Sequence, residues 1–289
     1  MRRVLLTLVA LVLCLGLASQ ASANVFNNPG AYQLKFDGYE YAYWGNHSDF
    51  LTGTADVISD QAGLLNPDRS LKTGFSMTAV TYLTTVTKLD KNGRAIYPEA
   101  YSSGDGGVYL AVLRDLKTSH SIGTLTGGDA MMYFTGGVLD WYFLPNAAIS
   151  HFSNMVYTAG VGLADAMGTL AQKLAGLEPF AQFTLAETIE IGGLKYTGSA
   201  KVSVENGYVM GDAKFFADAI DGSLFDSDAF NDHDLAFQAT LYWNELLGQF
   251  RVEDPASVNV PTPEPGTLSL MALGLLLTAF YVRRRKTMG

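Results

Sequence analysis

The densest group of hard ligands in the chain is acidic, running Asp221-Gly-Ser-Leu-Phe-Asp226-Ser-Asp228-Ala-Phe-Asn231-Asp232-His233-Asp234. Carboxylates this close suit Ca²⁺, which takes roughly six to eight oxygens, and Asp226, Asp228, Asp232 and Asp234 are the candidate ligands. The EF-hand spacing fails: counted from Asp226, its fifth position falls on Phe230, its sixth on Asn231 rather than glycine, and its twelfth on Phe237. The plainer reading is a solvated polar loop ahead of a strand at Leu235. On that reading no cofactor is needed, and calcium is the alternative.

Other chemistries find less. His47, His120, His151 and His233 are far apart and share no metal-binding helical spacing. There is no Gly-x-Ser-x-Gly nucleophile elbow, and Lys72-Thr73-Gly74 lacks the Ser-x-x-Lys that would accompany it in a penicillin-recognising enzyme. No phosphate loop is present. A glycosidase needs only two carboxylates roughly 5 to 10 Å apart, which sequence spacing on separate strands does not reveal. Tyr39, Tyr41, Tyr43 and Trp44 are more specific. Three tyrosines at i, i+2 and i+4 on a strand share one face, which is either a platform for the apolar side of a sugar or one wall of the core. Trp141-Tyr142-Phe143 and Tyr242-Trp243 invite the same two readings, with core favoured.

The elements that must position these residues are mostly strands. Tyr, Phe, Thr, Val and Gly are abundant and only 16% of residues are charged, a composition that favours β structure. Val202 and Val204 alternate with Lys201, Ser203 and Glu205 before Asn206-Gly207, and Asn-Gly suits the two positive-φ positions of a type I′ turn, so a hairpin is expected there. A second hairpin runs over 82–89, turns through Asp90-Lys91-Asn92-Gly93 and returns over 94–97. Further strands are expected over 32–43, 108–116, 131–134, 138–144, 180–191, 235–243 and 249–252. The fold class is mainly β, a β-sandwich or jelly roll over residues 24–254. Leu163, Met167, Leu170, Leu174 and Leu177 recur at helical spacing and predict one short amphipathic helix. Pro255-Ala-Ser-Val-Asn-Val-Pro261-Thr262 reads as a proline-rich extended linker over 255–262.

Both ends look like addresses. Arg2 and Arg3, an apolar run from Val4, and Ala21-Ser22-Ala23 form a secretory signal peptide over 1–23, with a helical apolar part and signal peptidase as its reader. The single cysteine, Cys14, lies in that run, which excludes disulfides and thiol chemistry from the exported body. The chain carries a net charge of −9, and Arg2, Arg3, Arg283, Arg284, Arg285 and Lys286 all belong to the ends. The body is therefore more acidic still, which excludes nucleic acid as a partner. The apolar stretch 267–282 spans about 24 Å as a helix at about 1.5 Å per residue. That is short of the roughly 30 Å hydrocarbon core of a bilayer, so this helix makes a marginal hold in the inner membrane, with the basic cluster cytoplasmic.

Pro263-Glu264-Pro265, a short apolar helix, and Arg283-Arg284-Arg285 in that order resemble the PEP-CTERM sorting signal of Gram-negative bacteria that make exopolysaccharide. The resemblance covers 263–289 and implies recognition by a membrane-embedded exosortase that cleaves near Pro-Glu-Pro and passes the body to the cell surface or extracellular matrix. Two prolines hold that tripeptide extended and accessible. Asp234-Leu-Ala-Phe-Gln-Ala-Thr240 resembles the last strand of some flocculation-associated members. The resemblance thus implies a non-enzymatic structural or adhesive role in biofilm or floc, with exopolysaccharide as a partner. A polysaccharide-binding module and a secreted glycoside hydrolase are the alternatives.

Overall fold

A computed structural model of the chain describes residues 32–90, 95–100, 107–126, 128–145, 176–220, 232–244 and 249–260, with 147, 150, 152 and 174. The elements in order are β1 (Tyr32–Trp44), a short helix α1 (His47–Thr52), β2 (Asp56–Val57), a 3₁₀ turn (Gln61–Leu64), β3 (Ser76–Leu89), β4 (Ala95–Ala100), β5 (Gly107–Ile122) and β6 (Ala130–Pro145). There follow β7 (Ala181–Leu185), β8 (Ile189–Ile191), β9 (Leu194–Tyr196), β10 (Gly198–Glu205), β11 (Tyr208–Ala219), β12 (Leu235–Asn244) and β13 (Gln249–Val260).

The protein is mainly β, as expected, but its main sheet is not split into two layers. Neighbours run β1, β13, β12, β11, β10, β6, β5, β3, and β3 pairs back onto β1 from Tyr32↔Lys88 to Tyr43↔Ser76. Every pairing is antiparallel. The ladder therefore closes into an eight-position barrel, and closure removes the free edges that two separate sheets would leave. This replaces the expected sandwich or jelly roll.

One slot in the wall is shared. β10 pairs with the start of β6, Gly198↔Phe134 to Val202↔Ala130, while β7 pairs with its later part, Val138↔Thr184 to Trp141↔Ala181. Both also reach β11. The strand expected over 180–191 is thereby divided: β7 stays in the wall, and the chain leaves it at Ala186 to form the small β8–β9 hairpin before re-joining as β10.

Alternation decides which way the wall faces. On β11, Val209, Gly211, Ala213, Phe215 and Ala217 are buried while Tyr208, Asp212 and Lys214 are exposed. On β11 the apolar set faces the lumen and the polar set faces outward. No helix among the described residues is long and apolar enough to cross a membrane. The β10–β11 hairpin turns through Asn206 at φ 53° and Gly207 at φ 89°, as Asn-Gly predicts.

The linker expected over 255–262 begins instead as strand, since β13 continues through Val260. Pro255 has no N–H to donate, and the ladder accommodates it with irregularities on both sides, between Phe36 and Tyr39 on β1 and between Gln238 and Thr240 on β12. A proline inside a sheet belongs at such a break. The signal peptide, the C-terminal apolar helix, and all of the helix expected over 163–177 except Leu174, Gly176 and Leu177 lie outside the described residues.

Candidate ligand cavity and the sorting end of the barrel

β1 is buried on both faces. Its outward set is Tyr39, Tyr41 and Tyr43, at 6%, 1% and 0% exposure. The helix α1 lies over Tyr41 and Tyr43: its N-cap Asn46 accepts from the Asp49 N–H and the Asp49 carboxylate accepts from the Asn46 N–H, a reciprocal cap that fixes where Phe50 points. The Phe50 ring lies 5.0 Å from that of Tyr41 and 4.8 Å from that of Tyr43. The Tyr43 hydroxyl bonds Thr78 Oγ1 at 2.8 Å, and His47 Nδ1 meets the same oxygen at 3.0 Å. Burial holds His47 below its ordinary pKa. The tyrosine face is therefore a second core outside the barrel wall, shared with Val80, Tyr82, Leu110 and Val112. Of the expected sugar platform only Trp44 reaches solvent, at 39% exposure, so a four-ring platform is not formed.

The inward set of β1 is Phe36, Glu40 and Ala42. Between Phe36 and Glu40 lies Gly38, where a Cβ would stand 2.2 Å from the Val80 carbonyl oxygen, so only glycine lets β1 and β3 approach here. Glu40 pairs with Ala79 on β3 and with Phe250 on β13. Its side chain lines a cavity of about 110 Å³ in the lumen. The space exists because many inward positions carry small residues: Ala79, Ala111, Ala200, Gly211, Ala213 and Ala239 all line it. An eight-stranded barrel is only just wide enough to be filled by its side chains, so small ones leave a void.

One end of the lumen is covered by the crossing between β2 and β3. Leu64, Leu71 and Phe75 from this segment are buried and line the cavity. It is tied down on opposite sides, by Gln61 Nε2 donating to the Gly207 carbonyl at 3.2 Å and by Ser121 Oγ donating to the Leu71 carbonyl at 3.0 Å.

Among the described residues of this lining, Glu40 is the one that ionises. It is 5% exposed, and among the described residues no hydrogen bond or ion pair engages its carboxyl. Burial alone pushes its pKa up to about 8 from 4.5, so near neutral pH it is largely a protonated acid able to donate. The two threonines of the lining are already committed, Thr81 Oγ1 to the Ala111 carbonyl at 3.2 Å and Thr118 Oγ1 to the Phe75 carbonyl at 3.0 Å. A single carboxyl gives the glycosidase reading no pair within this cavity.

Sequence reasoning did not single out Glu40. Its signal was present, a carboxylate on a strand between Gly38 and Ala42, but with tyrosines on the opposite face the Glu40 side reads as the solvent face.

The acidic cluster divides. Asp226 and Asp228 lie outside the described residues. Asp234 is buried and its Oδ2 accepts the Ala219 N–H at 2.7 Å, fastening the start of β12 to the end of β11. Asp232 takes a left-handed φ of 66° in the approach to that strand. His233 Nδ1 lies 2.8 Å from Asp218 Oδ1. No group of three or more His, Cys, Asp or Glu residues among the described residues is arranged to hold a metal.

The last register positions of the barrel pair Tyr32 with Val260. Chain enters and leaves the wall side by side at this end, and the stretch carrying Pro263, Glu264, Pro265, Arg283, Arg284 and Arg285 starts at the next residue. Ala21 and Ala23, like that whole stretch, lie outside the described residues. No curated protein and no solved structure matches the chain. The PEP-CTERM protein-sorting motif matches over residues 261–286, and the chain thus carries the signal of an exported protein that exosortase processes at the membrane.

Proposed function

We propose that the protein is a structural or adhesive component of the cell surface or exopolysaccharide matrix, with the barrel as the cargo that exosortase delivers. The observation carrying this reading is the junction: the sorting motif begins at Pro261, directly after β13 ends at Val260. Processing in the motif leaves intact a ladder of eight strands that closes on itself, which limits the strand edges able to seed aggregation outside the cell. Its outward residues on β10, β11 and β12, among them Lys201, Asp212, Lys214 and Gln238, suit a hydrated polymer matrix.

The test compares cells carrying the natural chain with cells carrying Glu264→Ala. The natural protein is expected in the matrix fraction in processed form. The variant is expected to stay full-length in the membrane fraction, with a matching loss of floc or biofilm cohesion. Correct processing of the natural protein, together with unchanged cohesion when its gene is deleted, would remove the structural role and leave the sorting intact.

A further inference from the structure

We propose that the barrel lumen is a binding site for a small, uncharged, mainly apolar molecule that carries one hydroxyl or carbonyl group, held by a hydrogen bond to Glu40. This goes beyond the matrix role and does not depend on it.

Size comes first. The cavity of about 110 Å³ approaches the roughly 150 Å³ apolar void that elsewhere stays dry and takes up benzene. The space is therefore of single-ring size, too small for a lipid or an oligosaccharide. It is produced by alanine and glycine at inward positions on several strands rather than by one missing side chain.

Chemistry comes second. The walls are apolar, with Phe36, Met77, Phe134 and Leu241 among them, which calls for an apolar body. Among the described residues the lining contains no Lys, Arg or His, so none of them offers an anion a partner. Thr81 and Thr118 spend their hydroxyls on the backbone. Glu40 is the polar group left over, more than nine-tenths buried, facing the space and unengaged by any described residue. A buried carboxyl without a partner is costly. A ligand hydroxyl or carbonyl supplies what the wall withholds, and a protonated acid can donate to either.

The test uses the processed protein recovered from cells, titrated near pH 6.5 with phenol, toluene, benzylamine and benzoate, and read by calorimetry and by the NMR signals of the Met77 and Met132 methyl groups. Phenol is expected to bind and to shift those methyls, with toluene at least tenfold weaker and the two charged probes weaker still. Glu40→Gln, which keeps both a donor and an acceptor, should retain phenol binding. Glu40→Leu should remove the preference for phenol over toluene, and Ala79→Val, a milder change that narrows the space, should weaken both. The proposal is overturned if no probe binds at millimolar concentration, if benzylamine or benzoate binds best, or if phenol binds without shifting the methyls. It is equally overturned if the phenol preference survives Glu40→Leu, or if a high-resolution structure after phenol soaking shows only ordered water beside Glu40.

Discussion

Tyr32 and Val260 stand opposite each other in the ladder between the first and last strands of the barrel. β13 is flanked by β1 on one side and β12 on the other, so removing part of it would unpair both neighbours. Exosortase processing is therefore expected to fall after Val260. Intact mass of the processed protein checks this directly. A C-terminus before Ser257, which pairs with both Lys35 and Gln238, would contradict the barrel as the delivered unit.

Glu40 should make stability depend on pH. Its carboxyl titrates near 8 in the folded protein and near 4.5 when solvated. Between those values the folded state keeps a proton that the unfolded chain has released, so stability falls as pH rises from about 4.5 to about 8 and levels off above. The slope is at most about 1.4 kcal/mol per pH unit. Glu40→Gln is expected to flatten that decline and to be more stable than the natural protein at pH 8. Denaturant unfolding of both proteins at pH 5, 6.5 and 8 is the measurement, and parallel pH profiles would refute the assignment.

How much of this was legible follows from what each residue touches. Short-range features were readable: Asn206-Gly207 encodes its turn locally, and the alternation around Val202 needs only a wall with one apolar side. The closure of the sheet was not, because the β1–β3 and β1–β13 ladders join segments far apart in sequence and leave no local trace. The same closure explains the tyrosines. A strand that is buried on both faces does not show simple alternation, and Tyr39, Tyr41 and Tyr43 are buried in a second core to which α1 contributes Phe50. Pro255 misled in the opposite direction, since a proline suggests linker unless the ladder is irregular where it falls.

Gly38 is the position where closure is least tolerant. A methyl group there would sit 2.2 Å from the Val80 carbonyl oxygen and 2.7 Å from the Thr81 Cα, both backbone atoms that cannot rotate away. Gly38→Ala is expected to push β1 from β3 and to cost about 3 kcal/mol or more, at or beyond the upper end of ordinary overpacking. Gly207→Ala is the control, because nothing lies within 4 Å of a Cβ at Gly207. Its positive φ predicts a cost near 1 kcal/mol. Equal losses in the two unfolding midpoints would mean that the seam yields more easily than the contact implies.

Asp140 offers a test of the wall between β5, β6 and β7. It is 2% exposed; its Oδ2 accepts from Arg114 Nε and its Oδ1 from Gln182 Nε2, each at 2.6 Å. Arg114 also reaches Asp115 at 2.6 Å, where both side chains are substantially exposed, so that contact adds little. Asp140→Ala leaves the Arg114 guanidinium, whose side chain is 28% exposed, without its buried carboxylate partner. Removing one partner of a buried ion pair costs about 3 to 5 kcal/mol, and the partial exposure of Arg114 sets the expectation at the lower end. Asp140→Asn keeps the acceptor for Arg114 and should lose less. The double change Asp140→Leu with Arg114→Met removes both charges together and is expected to recover most of the stability. If the double variant is instead as unstable as Asp140→Ala, the network holds the three strands through Gln182 rather than through the charge pair.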